Sequence, residues 1–283
     1  MPVPLAHPAA VLPLRRYCPK HLSFSALVIG SVVPDVAYAF NIHRSFPTVI
    51  TACFGSPLRE WLADRGVRSW DGLSHSLLGS VVFCLPLGLL LLAAFRLSRA
   101  SLVATLPNPH RDVLAPLCQA AGHSLLTYAG SLLIGVFSHL AWDSLAKDDW
   151  WLARAWPLLQ MEVVDAGSAH IEVYQAIWII SSVGGTLALV FAYLAYLKQK
   201  HLAFLVFNRQ EAPYHFVWLS AAGLAGLTAV VTCFRFGRMR FSFGSLFHRF
   251  HAFYAVFVTA LGCLIVCIVA VAMVKSFLTP TPE

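Results

Sequence analysis

The stretch LLTYAGSLLIGVFSHLAWDSL, residues 125–145, decides how the chain folds. It holds one formal charge, Asp143, and is long enough for an α-helix to cross the hydrocarbon core of a bilayer, which takes about 20 residues. Its last eight residues nevertheless carry Ser138, His139 and Asp143, groups that lipid excludes unless they have a partner or a task. His139 and Asp143 are four residues apart, so they share one helix face and can hold one ion together.

Working outward, residues 76–95, 174–197, 216–234 and 252–274 are apolar runs of similar length. Across 283 residues, 58% are apolar and 12% charged, with a mean hydropathy of +0.71, far from the balance of a water-soluble domain. The fold class is therefore all-α: a polytopic helical membrane protein with five or six transmembrane helices. Residues 1–283 read as a single membrane domain with an N-terminal helical unit over residues 1–40. Pro86 inside the first long run is tolerable because neighbouring helices can satisfy the carbonyl it frees. Trp150, Trp151 and Trp156 suit a water interface.

The net charge of +7 does not point to nucleic acid, because the 20 Lys and Arg residues lie in small groups between apolar runs. The partner they imply is the lipid bilayer, through headgroup contacts. The sequence leaves the oligomeric state open. Seven cysteines form no CxxC pair, so neither a disulfide framework nor a cysteine metal site is assigned.

The N-terminal unit admits three readings. Arg15, Arg16 and Lys20 before an apolar core, then Ala37-Tyr38-Ala39, resemble a secretory signal with a cleavage site. A sixth full span is the second. The third is a helical hairpin, residues 7–17 and 22–40, turning at Cys18-Pro19-Lys20-His21. In the hairpin, His7 lies about 13 residues before Lys20 and Asp35 about 15 after it, so at roughly 1.5 Å per residue both return to one level and can meet.

Topology follows from the basic residues. With five spans, the side holding residues 1–75 carries thirteen of the 20 Lys and Arg and faces the cytoplasm; with six spans the two sides carry ten each. The five-span reading predicts opposite accessibility for cysteines introduced at Ser69 and Asn108 in a background without native cysteines. A Ser69→Cys label outside the cell would overturn it.

His75 stands at the entry of the first long run and His139 near the exit of the next, so an up-and-down pair of helices brings both to one membrane side. Asp35 precedes the loop to His75 and arrives there too. Singly, each reads as an interfacial polar group or helix cap. Together His7, Asp35, His75, His139 and Asp143 offer the imidazoles and carboxylates that a divalent ion, Zn²⁺ first among them, takes in one site or a close pair. His123 lies 16 residues before His139, about 24 Å along the helix, and belongs to the opposite surface. His248 and His251 read as interfacial residues, and the series Asp148, Asp149, Glu162, Asp165 and Glu172 as a solvated loop from which Glu162 or His170 can fold back.

The motifs that frame these residues are His7-Pro8, Pro34-Asp35, His75-Ser76-Leu77-Leu78 and Ser138-His139-Leu140-Ala141-Trp142-Asp143. Their order over residues 1–185 resembles the bacterial membrane proteins grouped as DUF4184, and more distantly the inner-membrane proteins called metal-dependent hydrolases of the DUF457 group. The resemblance implies metal ligands at His7, Asp35, His75, His139 and Asp143, and a bacterial inner-membrane location. The chain departs from the pattern at Val36-Ala37, at Ala146-Lys147 and at Trp178-Ile179, where relatives carry a further Asp, Thr-His and Gln-His.

The function expected is a membrane-embedded hydrolase in which a divalent ion activates water against an ester or phosphoester of a lipid-like substrate. Asp35 and Asp143 are the candidate catalytic residues, as ligands or general base, roles that sequence does not separate. The alternative is a non-catalytic protein in which the metal staples helices. A transporter is a third reading, weakened by the lack of charged residues mid-span in the later runs. No glycine-rich phosphate loop or GxSxG is present.

Overall fold

The structure, a computed structural model, describes residues 6–18, 20–36, 45–104, 106, 110–119, 122–147, 150–166 and 169–199. The predicted spans at 216–234 and 252–274, and His248 and His251, lie outside the described residues. Among the described residues the chain is mostly helical. Those up to Leu90 and from His123 to Leu187 form one compact unit, and those from Leu91 to Gly122 and from Ala188 onward a second.

The N-terminal unit is more broken than two continuous helices. Helix α1, Pro8–Val11, passes into a 3₁₀ segment, Leu12–Tyr17, and α2, Phe24–Gly30, is followed by a 3₁₀ turn, Val33–Asp35. Prolines 8, 13 and 34 account for much of this, since each lacks an N–H and restricts the residue before it. The apolar segment Phe24–Asp35 rises roughly 18 Å, short of the ~30 Å hydrocarbon thickness.

Two amphipathic helices, α3 (Phe46–Phe54) and α4 (Ser56–Asp64), lead to the short α5, Trp70–Ser74. Their apolar sides close on a core of Phe46, Ile50, Leu62, Val67 and Leu73, against which Trp70 and Phe83 pack. Trp70 Nε1 donates to Ser45 Oγ at 3.0 Å, so the buried edge of the indole is satisfied. Ser69 caps α5 by accepting from the Gly72 N–H at 3.0 Å, which sets where His75 begins.

Three helices are long and apolar enough to cross a membrane: α6 (Leu77–Ala104), α8 (Leu125–Ala146) and α10 (Val173–Gln199). They coincide with the first three predicted spans. Between α6 and α8 lies α7, His110–Cys118. The first of the three long helices contains a π-helical segment, Ser80–Cys84, directly before Pro86, which lets the chain pass the proline without breaking. Leu90, Leu97, Leu126, Ile180 and Phe191 on these helices are exposed, as side chains meeting lipid tails are.

After a short helix α9, Trp151–Ala155, the expected solvated loop contains an antiparallel pair, β1 (Glu162–Ala166) and β2 (Ala169–Glu172). Val163, Val164 and Ile171 are β-branched, and the Gly167-Ser168 dipeptide between the runs is a hairpin signal in the sequence that the all-α reading passed over.

Candidate metal centre

The centre is built where α2 crosses α8. Gly30 lies against the Leu132 backbone and Gly135 against the Leu27 carbonyl, so closely that a Cβ at either would collide with main-chain atoms. Small residues allow this approach, the usual device for helix contact in a membrane. The Ser23 N–H donates to Ser131 Oγ at 3.0 Å across the crossing. One turn beyond Gly135, His139 Nδ1 donates to the Ser31 carbonyl at 2.9 Å. A carbonyl only accepts, so a hydrogen sits on Nδ1, which leaves Nε2 as the ring nitrogen that faces inward.

His75 is held in the same way. Its Nδ1 lies 2.9 Å from the Asp71 carbonyl oxygen and 3.2 Å from Asp71 Oδ1, both acceptors. Ser74 Oγ donates to the Pro34 carbonyl at 2.8 Å, which ties α5 to the 3₁₀ turn carrying Asp35. The His75 and His139 Nε2 atoms then lie 3.2 Å apart. Asp35 Oδ1 is 3.6 Å from each, and Asp143 Oδ2 is 3.4 Å from His75 and 3.6 Å from His139.

These spacings permit a test of fit. Ligand atoms about 2.0–2.1 Å from a tetrahedral Zn²⁺ are about 3.3–3.4 Å from one another. The distances above scatter around that value, and the four ligand atoms all lie within 4.8 Å of one another. Both oxygens of Asp35 and Oδ1 of Asp143 are buried without a hydrogen-bond partner among the described residues, and Asp143 Oδ2 has the Lys147 ammonium at 2.9 Å. Buried carboxylates left so are costly unless a cation balances them. The residues present fit a divalent ion.

All five sequence-predicted ligands are thus brought together, but unequally. His7 stacks on His139, ring centroids 3.8 Å apart, and its Nε2 lies 3.8 Å from Asp35 Oδ2 and 3.5 Å from Asp143 Oδ1, the two oxygens turned away from the first set. His123 sits before the start of α8, at the end opposite His139. Glu162, at the start of β1, is exposed.

Two contributors went unnoticed in the sequence. Lys147 Nζ is 2.9 Å from Asp143 Oδ2 and 5.2 Å from the centroid of Trp150, whose ring also meets the edge of His75. The four-residue spacing from Asp143 to Lys147 was a readable signal. Asp71, one turn before His75, was the other.

Burial, then the neighbouring His139 ring, pushes His7 down to about 3, so it is neutral and has a lone pair to offer. Burial and the Lys147 ammonium also oppose charge on His75, yet the carboxylates of Asp143, Asp35 and Asp71 push it up to about 9. Burial opposes charge on Lys147 as well, but Asp143 holds it above the usual lysine range. Two buried carboxylates and one ammonium leave a negative charge that a proton on His75, or a metal ion in its place, must balance.

Removing the Asp71 carboxylate should loosen His75 without removing a ligand. Asp71→Ala is expected to weaken metal affinity roughly tenfold, the lower range for a group that orients a ligating imidazole, with the fold intact by circular dichroism. Competition with a chromophoric chelator measures it, and unchanged affinity would show that the main-chain bond alone fixes the ring.

No curated protein and no solved structure matches the chain. The family model described as "Domain of unknown function (DUF4184)" matches residues 1–278, nearly the whole length, and the chain belongs to that family.

Proposed function

We propose that the protein is a membrane-embedded, metal-dependent hydrolase acting on an ester or phosphoester bond of a lipid-like substrate, in the bacterial inner membrane. What supports this reading is the set of buried imidazoles and carboxylates, with ligand atoms converging within 4.8 Å of one another, at the end of an apolar helix long enough to span a membrane. The end of such a helix is level with lipid headgroups, where a substrate arrives by lateral diffusion.

His75, His139, Asp35 and Asp143 would hold the ion, for which the imidazole and carboxylate donors favour zinc. A bound divalent ion supplies Lewis acidity towards a carbonyl or phosphoryl oxygen and makes water a usable nucleophile near neutral pH. Asp35 and Asp143 each keep a second oxygen that does not face His75 or His139, and with a single ion bound one of these would take a proton as general base. Lys147 fixes Asp143 and sets a positive charge beside the centre, where negative charge develops in ester cleavage. Trp150 covers His75 and Lys147 at the rim and limits entry of bulk water.

One observation favours a second reading, a metal that only staples helices. Four protein ligands complete a tetrahedral shell, as in structural zinc sites. The two readings separate when metal-replete protein in liposomes is incubated with a mixed lipid extract and products are followed by mass spectrometry. The hydrolase reading expects products that vanish with chelator and in Asp143→Asn. Metal-replete wild type giving nothing above a His139→Ala, Asp143→Ala background across a broad lipid panel would leave the staple.

A further inference from the structure

We propose that the centre holds two divalent cations, the second bound by His7 Nε2, Asp35 Oδ2 and Asp143 Oδ1, so that the Asp35 and Asp143 carboxylates bridge the pair. This rests on the metal centre underlying the hydrolase reading and extends it to a site of different make-up.

The first observation is how the carboxylate oxygens are shared out. Asp35 Oδ1 and Asp143 Oδ2 face His75 and His139, while Asp35 Oδ2 and Asp143 Oδ1 face His7. Each carboxylate therefore offers one oxygen to each of two points. If His7 were a fifth ligand of the first ion, its Nε2 would approach the same oxygens as the other imidazoles do.

The second is His7 itself. It is 1% exposed, and neither ring nitrogen has a hydrogen-bond partner among the described residues. An imidazole buried with nothing to bond is destabilising, and a cation at Nε2 removes half of that deficit. The third is the stack. The His7 and His139 rings lie 3.8 Å apart, tilted by 29°, so their inward edges address neighbouring but separate points. Two ions so placed would be separated by about the ring spacing, which falls within the roughly 3.5–4 Å of two-metal hydrolytic sites.

The two sites differ in a way that matters. The first has four protein ligands and a filled shell, whereas the second has three and leaves a position for water or substrate, the pattern of catalytic zinc. The chemistry then belongs to the His7 side, and the first ion holds the bridging carboxylates in place.

The test is to titrate chelator-treated protein in detergent with Co²⁺, counting bound metal after gel filtration and recording electron paramagnetic resonance at each equivalent. Wild type is expected to bind two equivalents, with magnetic coupling through the carboxylate bridge attenuating the signal as the second enters. His7→Phe, which keeps a ring against His139 but offers no ligand, is expected to bind one, uncoupled, at unchanged first-site affinity. Wild type saturating at one equivalent overturns the inference, and so does a His7→Phe protein that still takes two. The wild-type count decides by itself if the variant does not fold. No bound metal at all would overturn both the inference and the hydrolase reading, whereas two bound ions without lipid turnover would remove the hydrolase reading alone.

Discussion

A His139→Ala, Asp143→Ala double variant is expected to lose its metal altogether. Wild-type protein purified without chelator should carry divalent ion in amounts comparable to the chain, and the variant should fall to the background of the buffer by elemental analysis. The size of the effect follows from the ligand count. The pair supplies two of the four atoms that fit one ion, Asp143 also offers an oxygen to His7, and the other ligands come from segments that the metal itself would tie together. Even a group that only orients a ligand is worth roughly 10–100-fold in affinity, so the loss of two ligands should cost several orders of magnitude. A thermal melt adds an independent check. A ligand that binds only the folded state stabilises it by about 2.7 kcal/mol at a hundred times its Kd. Added Zn²⁺ should therefore raise the melting temperature of chelated wild type and leave the double variant unmoved. The variant also strands the Lys147 ammonium, so its melting temperature without metal is not the comparison of interest. Unchanged metal content in the variant would show the site to be misassigned.

What the sequence disclosed of this centre, and what it concealed, has a simple physical basis. Charge and imidazole are conspicuous in an apolar helix, so His139 and Asp143 stood out at once, and their spacing put them on one face. Span length is equally direct: runs at 76–95, 125–145 and 174–197 became helices Leu77–Ala104, Leu125–Ala146 and Val173–Gln199, each extending past its apolar core at one or both ends. The residues that orient the ligands were harder to see. Asp71 and Lys147 lie in polar connections where charge is ordinary, and Ser31 acts through its carbonyl, which every residue has. The division of the carboxylate oxygens between two imidazole sets depends on side-chain rotation, which no spacing rule contains. The helices at Phe46–Phe54 and Ser56–Asp64 escaped notice because they are short and amphipathic, in a stretch read only as a connection. The hairpin at Glu162–Glu172 escaped because acidic residues dominated its reading over the β-branched ones between them.

The crossing of Phe24–Gly30 with Leu125–Ala146 supports the second large effect, because the centre exists only while these helices touch. At Gly135 an added Cβ meets the Leu27 carbonyl, and lies 2.8 Å from the Ser31 nitrogen. Backbone cannot rotate away as a side chain can. Gly135→Leu must therefore push the helices apart, and Gly30→Val, facing Leu132 from the other side, must do the same. Overpacking of this kind costs about 1–3 kcal/mol. Separation also breaks the Ser23 to Ser131 and His139 to Ser31 hydrogen bonds, each worth about 1 kcal/mol. Total losses of about 3–5 kcal/mol are a large share of the roughly 5–15 kcal/mol that holds a typical protein folded. The metal should go with them, since His139 is one turn from Gly135 and Asp35 five residues beyond Gly30. Gly130→Ala supplies the contrast on the same helix: a Cβ there meets nothing within 4 Å, so the change should leave metal content alone and stabilise by at most about 1 kcal/mol through helix propensity. Thermal melts and metal analysis of the three variants side by side would decide the matter. A Gly135→Leu protein that melts with wild type and keeps its metal would mean that the close approach of the two helices is not what assembles the centre.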